Sequence, residues 1–278
     1  MNSDGPSPSR KYFDSTPRAD FSQPDALAVL VRALRPDVIV NAAAHTAVDK
    51  AESEPEFART LNALAPGVLA REAAALGAWL VHYSTDYVFD GSGDKPRAED
   101  APTGPLSTYG RTKLEGEDLI RASGCRHLIL RTSWVYSARG GNFACTMLKL
   151  AAERDQLTVI DDQIGAPTGA DLLADVTAHV LRAVVRNPKP AGTYHAVAAG
   201  ETSWHGYARY VIDWARQNGR PVKVTAETIE PVPSSAYASA ARRPLNSRLS
   251  TERLRRTFGL EMPPWQAGVQ RMLIESAP

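Results

Sequence analysis

Short apolar segments alternate with segments of helical length along most of the chain, and this alternation limits the possible folds more than any other feature. Strands are predicted over residues 38–43, 79–84, 127–132 and 157–160. These segments are almost wholly apolar, as expected of strands in a parallel sheet that is covered on both faces. The pattern predicts an α/β fold, with a doubly wound parallel sheet and helices on both sides.

Helices are predicted between and after these strands from apolar spacing, capping residues and glycine stops. They cover residues 26–34, 54–75, 108–122, 142–154 and 172–185. Beyond about residue 195 the alternation of strands and helices becomes less regular. The predicted elements there are a helix at 204–218, a short strand at 222–225, a proline-, serine- and alanine-rich stretch at 231–247, and helices at 250–258 and 265–275.

We therefore divide the chain into an irregular lead-in at 1–19, a doubly wound domain at 20–170 and a smaller lobe at 171–278. The lobe is expected to bind substrate, and the chain is free to re-enter the first domain. In folds of this kind, ligands bind in the crevice at the carboxyl ends of the strands.

Composition excludes several classes of protein. The formal net charge is +1, which gives no electrostatic drive toward nucleic acid or a membrane surface. Cys125 and Cys145 cannot form a disulfide framework, and the histidines show no metal-ligand spacing. No apolar run reaches the roughly 18–20 residues that span a bilayer. We expect a cytoplasmic protein without a catalytic metal.

The pair Tyr109 and Lys113 is the strongest chemical signal. The two residues are four apart, so they lie one turn apart on the same face of the predicted helix. A free tyrosine, with a pKa of about 10, is a poor proton donor or acceptor at neutral pH. A nearby ammonium lowers that pKa and lets the hydroxyl exchange a proton with a substrate oxygen. The spacing alone is weak evidence, because an exposed helical pair is the commoner explanation.

Thr85 strengthens the interpretation, because it follows a predicted strand and so lies at the expected ligand crevice. A hydroxyl, a phenol and an ammonium together can hydrogen-bond and protonate a carbonyl oxygen while hydride reaches its carbon. Structural explanations stay open. Thr85 can simply cap a turn, and Tyr87 and Phe89 suit packing better than ligand stacking.

The sequence also resembles a known family, the dTDP-4-dehydrorhamnose reductases of the extended short-chain dehydrogenase/reductase superfamily. The resemblance rests on the segments RPDVIVNAAAHTAVDKAESEP, HYSTDYVFDG, YGRTKLEGE, LRTSWVY, DDQIGAPTGADLLAD and ARRPLNSRLST. It implies a Rossmann-like dinucleotide-binding domain at 20–170. It also implies reduction of dTDP-4-dehydro-L-rhamnose to dTDP-L-rhamnose, for surface polysaccharide, with NADPH or NADH.

The resemblance also implies roles for individual residues. Tyr109 would protonate the 4-keto oxygen, with Lys113 as its partner and as a ligand of the nicotinamide ribose. Thr85 would polarise the keto group, and Thr85, Asp86 and Trp134 would contact the sugar. The cofactor groove would be lined by Ala44, His45, Thr46 and Tyr83, and the adenine end by Asp20 and Phe21.

Weaker implications concern phosphate, metal and assembly. The arginines and Asn246 in ARRPLNSRLST would contact the nucleotide diphosphate. Some family members are described as binding magnesium at a dimer contact, for which Asp171 is a weak candidate. Dimers are common in the superfamily, so a homodimer is one alternative, and the oligomeric state stays open.

One family feature is missing from this sequence. The family begins with a buried strand and a turn of the form G-x-x-G-x-x-G, and neither precedes the strand at 38–43. Those glycines let the backbone approach the cofactor pyrophosphate at a helix N-terminus. We expect a misassigned translation start or a shortened gene, which leaves a fragment of a normal reductase. The alternative is a genuinely shortened protein that binds cofactor poorly.

Three functions therefore stay open at this stage: the reductase, a related nucleotide-sugar epimerase or dehydratase, and a noncatalytic or regulatory protein of the same fold. The sequence does not distinguish NADH from NADPH, because the residues that contact the ribose 2′ position follow a strand that cannot be recognised here.

Overall fold

The computed structural model describes residues 19–276. Its strands are β1 Val38–Asn41, β2 Trp79–Thr85, β3 Arg126–Thr132, β4 Val135–Tyr136, β5 Leu157–Ile160, β6 Ile164–Gly165, β7 Thr168–Gly169, β8 Gly192–His195, β9 Thr202–Ser203 and β10 Ile229–Val232. Its α-helices are α1 Pro24–Leu34, α2 Val48–Ser53, α3 Pro55–Arg59, α4 Ala65–Leu76, α5 Thr108–Ala122, α6 Phe143–Glu153, α7 Ala170–Arg186, α8 Trp204–Gln217, α9 Glu252–Phe258 and α10 Trp265–Glu275. Most of the predicted lead-in at 1–19 lies outside the described residues.

The central sheet has four strands in the order β1-β2-β3-β8, and every pairing in it is parallel. The predicted α/β fold with a parallel sheet is confirmed. In the register of β2 and β3, Thr85 lies opposite Thr132, so both strands end at the same edge. Side chains that follow these strands therefore share one crevice.

The two faces of the sheet are covered by different helices. On one face, Leu80 and Ile129 pack with buried residues of α1, α4 and α5. On the other face, Val81 and Leu130 pack with the buried side of α7 and with Leu254 of α9. Because neighbouring strand residues point to opposite faces, both sets must be apolar. This explains why the strands carry so few polar residues.

The fourth strand of the central sheet was predicted wrongly. Segment 157–160 does form a strand, but β5 pairs with β10 in a separate two-stranded sheet. The fourth central strand is β8, which pairs with β3. Its sequence, Gly-Thr-Tyr-His, is short and partly polar, so apolar patterning does not reveal it.

The predicted strand at 222–225 does not form. Val224 is fully buried and packs against α6, α8 and β5, which accounts for the apolar pattern. The backbone N–H groups of Lys223 and Val224 bond to the carbonyl oxygen of Ala151 at the end of α6, at 2.8 and 3.3 Å. The segment therefore caps a helix rather than joining a sheet.

The helix predicted over 54–75 is interrupted. Residues Thr60–Leu64 form a π-helical turn between α3 and α4. Such turns are rare, and they occur frequently at functional sites. The turn places Asn62, which is fully buried, against α5.

The residues after 195 build most of a second apolar cluster, in which α6, α8 and α10 pack around Tyr207 and Trp265. Helix α7 packs on the central sheet instead, although we predicted that the substrate lobe begins at residue 171. Among the helices described between residues 19 and 276, none is both long and apolar enough to cross a membrane.

Gly116 allows α5 to approach the π-helical turn closely. A Cβ atom at this position would clash with the backbone carbonyl oxygen of Asn62, which cannot move aside as a side chain could. We expect Gly116→Ala to destabilise the protein by about 1–3 kcal/mol, the usual range for overpacking, measured by urea unfolding. Gly141→Ala is the matched control, because its Cβ would meet no atom within 4 Å. Equal stability of the two variants would contradict this account.

Candidate functional site

The site is built where β2 ends. Thr85 is the last residue of β2 and is 5% exposed. Its hydroxyl accepts a hydrogen bond from the Tyr87 backbone N–H at 3.2 Å and donates to Asp86 Oδ1 at 3.0 Å. It therefore caps the short 3₁₀ turn that follows, as the structural explanation proposed. Thr85 also belongs to the site, because its side chain lies close enough to the Tyr109 phenol to lower that group's pKa.

Tyr109 lies in the first turn of α5, and this turn is held firmly. Ser107 caps the helix by accepting from the Gly110 N–H at 3.2 Å. The Glu52 carboxylate accepts from the Thr108 backbone N–H at 2.7 Å and from its hydroxyl at 2.8 Å. These anchors fix the position of the phenol relative to β2.

Close packing at the start of α5 also depends on Gly110. A Cβ there would clash with the carbonyl oxygen of Tyr87, so glycine lets the helix approach the turn after β2. The rings of Tyr87 and Tyr109 meet edge to face, with centroids 5.3 Å apart. Burial raises the pKa of Tyr109 to about 12, and the charge of Asp86 adds to this, while the nearby Thr85 side chain opposes it. The phenol is thus held protonated, as a proton donor must be.

Lys113 lies one turn after Tyr109 and is 2% exposed. Its Nζ donates to the Tyr83 carbonyl oxygen at 2.6 Å and lies 3.0 Å from His82 Nε2. Burial lowers the pKa of Lys113 to about 8, and the carboxylate of Glu117 opposes that shift. We expected an ammonium that lowers the tyrosine pKa. In the structure Nζ contacts the backbone of β2, and burial of the tyrosine dominates.

Asp86 and Tyr83 point in different directions from β2. Asp86 is 2% exposed, and burial raises the pKa of its carboxyl to about 6, although hydrogen bonds from Ser247 and Thr85 oppose the shift. The Tyr83 side chain lies on the opposite face of the sheet from His82, with its hydroxyl 2.6 Å from Thr177 Oγ1 on α7. Only the backbone of Tyr83 reaches Lys113.

The loop after β1 is joined to the site through Asn62. The Asn62 amide accepts from the His45 backbone N–H at 2.8 Å and donates to the His45 carbonyl at 3.2 Å. It also donates to the Thr112 hydroxyl on α5 at 3.1 Å. The loop that carries Ala44, buried His45 and exposed Thr46 is thereby fixed beside the helix that carries Tyr109 and Lys113.

A cavity of about 1050 Å³ opens beside Tyr87 and extends toward the C-terminal lobe. Its walls include Tyr87, Gln163, Trp204, Arg242 and Arg243. The cavity joins the two parts of the chain, and it is large enough for a ligand of nucleotide-sugar size.

The two arginines of this cavity differ in their partners. Arg243 is held by the Asp49 carboxylate of α2, which accepts from both of its terminal nitrogens. Hydrogen bonds from Arg243 and from the Ala241 N–H lower the pKa of Asp49 to about 2, so this pair is ionised. Arg242 is exposed. Asn246 is buried and bonds the carbonyl oxygens of Lys95 and Ser92, so it holds a loop in place.

Trp134 lies just after β3 and stacks on Trp204, with ring centroids 3.8 Å apart and planes at 14°. It has a positive φ of 50°, a strained conformation for a bulky residue. The pair joins the edge of the central sheet to the C-terminal lobe. Trp204 lines the large cavity, and Trp134 lines a smaller adjoining groove of about 280 Å³.

The remaining predicted site residues lie apart from this constellation. Asp20 lies in the turn before α1 and accepts from the Ser22 N–H and the Gln23 side chain. Phe21 packs against the apolar clusters of α1 and α4. Asp171 lies in the first turn of α7, 3.4 Å from Arg271. Within residues 19–276, no group of three His, Cys, Asp or Glu side chains is placed to hold a metal ion.

Several residues of the site were missed in the sequence. Asn62, Glu52 and His82 make contacts that orient the loop, helix α5 and Lys113, respectively. Asn62 carried no signal, because it lies inside an alanine- and leucine-rich helical pattern. His82 did carry a visible signal, because it is a histidine inside an apolar strand.

Comparison with known proteins agrees with this geometry. The family model described as the RmlD substrate binding domain matches residues 7–277. The dTDP-4-dehydrorhamnose reductase of Escherichia coli K12 is 55% identical over 256 residues, covering 92% of this chain and 85% of the relative. The Salmonella typhimurium protein of that name is 57% identical over the same length, with the same coverage.

Solved structures show the same relationship. The dTDP-4-dehydrorhamnose reductase of Bacillus anthracis, in complex with NADP, matches with a TM-score of 0.82 and 34% identity, covering 92% of this chain and 86% of that one. A dTDP-glucose 4,6-dehydratase from Streptomyces venezuelae shares the fold, with a TM-score of 0.74 at 18% identity, covering 95% and 81% of the two chains.

The α/β fold with its parallel sheet is that of the extended short-chain dehydrogenase/reductase class. Within that class, the chain belongs to the RmlD family, in which its similar relatives are named dTDP-4-dehydrorhamnose reductases.

Proposed function

We propose that the protein reduces dTDP-4-dehydro-L-rhamnose to dTDP-L-rhamnose with NADPH or NADH. The observation that carries the proposal is the placement of Thr85, Tyr109 and Lys113 together where β2 meets α5. This group lies beside the cavity that begins at Tyr87. Relatives at 55–57% identity bear the name of this activity.

Thr85, Tyr109 and Lys113 have separate roles in the reduction of the 4-keto group. The Thr85 hydroxyl donates a hydrogen bond to the keto oxygen, giving up its bond to Asp86. Tyr109 transfers its phenolic proton to the same oxygen as negative charge develops there. An alkoxide is a stronger base than a phenolate, so this transfer is favourable even from a phenol whose pKa is near 12. Lys113, when protonated, stabilises the phenolate that remains.

The described residues fit the nicotinamide half of a dinucleotide cofactor. Lys113 and the loop of Ala44, His45 and Thr46 lie at the carboxyl edge of β1 and β2, where such cofactors bind in this fold. When bound, the cofactor supplies the hydride for the 4-carbon. Within residues 19–276, no strand and glycine-rich turn precede β1, so the pyrophosphate contacts are not among the described residues.

The large cavity suits the nucleotide end of the substrate. The guanidinium groups of Arg242 and Arg243 line it, and arginine is well suited to bind phosphate. Trp204 and Tyr87 offer aromatic faces in the same walls. We propose that Trp134 acts on the sugar through Trp204, whose ring it supports.

The activity is tested by following oxidation of NADPH and, separately, NADH when the 278-residue protein receives dTDP-4-dehydro-L-rhamnose. We expect one cofactor molecule to be consumed for each dTDP-L-rhamnose formed. A change in the sugar without net loss of reduced cofactor would point to the epimerase alternative. Saturable binding of the nucleotide sugar without turnover would point to the noncatalytic alternative.

A further inference from the structure

A continuous chain of hydrogen bonds runs behind Lys113, on the side away from the solvent. His82 is fully buried, and its Nε2 lies 3.0 Å from Lys113 Nζ. Its other ring nitrogen, Nδ1, lies 2.9 Å from the amide nitrogen of Asn41 on β1. The Asn41 oxygen accepts from the Ala43 backbone N–H at 3.1 Å. At the other end, Nζ donates to the Tyr83 carbonyl at 2.6 Å.

Both ends of this chain are backbone groups, and they determine its direction. The Ala43 N–H can only donate, so the oxygen of the Asn41 amide faces it and the NH₂ group faces His82. An amide NH₂ cannot accept a hydrogen bond, so Nδ1 of His82 must be the acceptor. A neutral imidazole then carries its proton on Nε2. That proton points at Lys113 Nζ, which can accept it only as a neutral amine.

We propose that His82 is a positioning residue that Asn41 fixes in the Nε2–H tautomer, and that it holds Lys113 against β2 as the neutral amine. The proposal deepens the proposed function, on which the catalytic role of Lys113 rests. Protonation of Lys113 removes its lone pair, so the Lys113 ammonium and the His82 Nε2–H are then two donors that face each other without an acceptor. The ammonium is thereby released from His82 toward the site that contains Tyr109.

The groups around Lys113 favour the neutral amine above about pH 8 and the ammonium below it. On α5, Tyr109 lies one turn before it and Glu117 one turn after it, and the Glu117 carboxylate is held by Arg131 of β3. β1 presents only the neutral amide of Asn41. Burial lowers the pKa of Lys113 to about 8, against the charge of Glu117, and burial lowers the pKa of His82 as well.

The tautomer can be measured without any turnover. Long-range ¹H–¹⁵N correlation spectra of the ligand-free 278-residue protein at neutral pH report which nitrogen of each of the six histidine rings is protonated. We expect His82 to show a protonated Nε2 and an unprotonated Nδ1. Its signals are assigned by their loss in His82→Gln. Should that variant not fold, the ring signals that shift in Asn41→Asp identify them, because Asn41 contacts Nδ1 of His82. A proton on Nδ1 would overturn the proposal.

The Asn41→Asp variant reverses the direction of the hydrogen bonds through His82 with almost no change in the shape of the side chain. A carboxylate accepts from both the Ala43 N–H and the ring, so His82 should become protonated on Nδ1 and Nε2 should accept from a Lys113 ammonium. In the wild type, kcat/KM should fall on the basic side of its pH profile with a pKa near 8. In the variant this pKa should be higher by at least about one unit, which is a tenfold higher affinity of Lys113 for its proton. An unchanged tautomer in this variant would contradict the inference.

His127→Gln is the matched control. His127 lies on the neighbouring strand β3, partly buried, and its Nδ1 contacts the Cys125 carbonyl outside the chain of hydrogen bonds. It should leave the His82 signals and the pH profile unchanged. Loss of the proposed reductase activity would leave the tautomer result intact, so the two failures are distinguishable.

Discussion

Tyr109→Phe should lower the rate of sugar reduction by about 10²–10⁴-fold, the usual contribution of a positioned proton donor or acceptor. The variant removes only the phenolic hydroxyl, which lies near Thr85. The ring remains and still packs edge to face on Tyr87, so α5 and the cavity should be undisturbed. The loss should therefore appear in kcat, with KM for the sugar changed little, in an assay of cofactor oxidation.

Tyr210→Phe provides the control for this variant. It removes a phenolic hydroxyl from α8, where that group makes only a 3.4 Å contact with the Gln266 carbonyl. Its kcat should match that of the wild type. Normal turnover in Tyr109→Phe, with the fold verified by circular dichroism, would show that the assigned proton donor is wrong.

Arg131→Met should destabilise the protein by about 3–5 kcal/mol, because it removes the buried partner of a buried carboxylate. Arg131 donates to both oxygens of Glu117, at 2.9 and 2.7 Å, and the two side chains are 3% and 0% exposed. Its guanidinium also donates to the Glu99 carbonyl and lies over the Phe89 ring. The pair joins β3 to α5 beneath the site, so the loss should appear as a lower free energy of unfolding in urea.

Arg121→Met is the comparison, because Arg121 reaches the same Glu117 carboxylate at 3.0 Å from a position 37% exposed. Its loss should cost about 1 kcal/mol or less, as for other exposed pairs. Burial alone would raise the pKa of Glu117, but Arg131 lowers it below its ordinary 4.5. The stability from this pair is therefore present above pH 4.5 and is lost as the pH falls through the lowered value. Equal effects of the two variants would contradict the account.

The fold could be predicted where one physical pattern dominates. β2 and β3 are buried on both faces, β1 is only partly buried, and the apolar runs of all three predicted them. Helix α5 was predicted with its observed bounds, since Ser107 precedes it and Gly124 follows it. β8 was not predicted because its sequence is short and partly polar, although α7 and α9 cover it in the structure. The segment at 222–225 is apolar because it packs on other elements. From the sequence alone, such a segment cannot be distinguished from an apolar strand.

The site could be predicted only where spacing along the chain carries the chemistry. Tyr109 and Lys113 lie on one helix, and Thr85 lies at a strand end, so their placement follows from local rules. Asn62 and His82 act through contacts with residues 17 and 31 positions away, and such contacts leave no trace in a local pattern. The roles of Asn62 and His82 in positioning the site could therefore be identified only from the three-dimensional structure.

The most direct test of the proposed reaction follows the hydrogen that reaches the sugar. The protein is given dTDP-4-dehydro-L-rhamnose and NADPH that carries deuterium at both C4 positions of the nicotinamide. We expect dTDP-L-rhamnose with one deuterium at C4 of the sugar, seen by mass and by loss of the corresponding proton signal. A product without deuterium, or a changed sugar beside unconsumed cofactor, would contradict the assignment as a reductase.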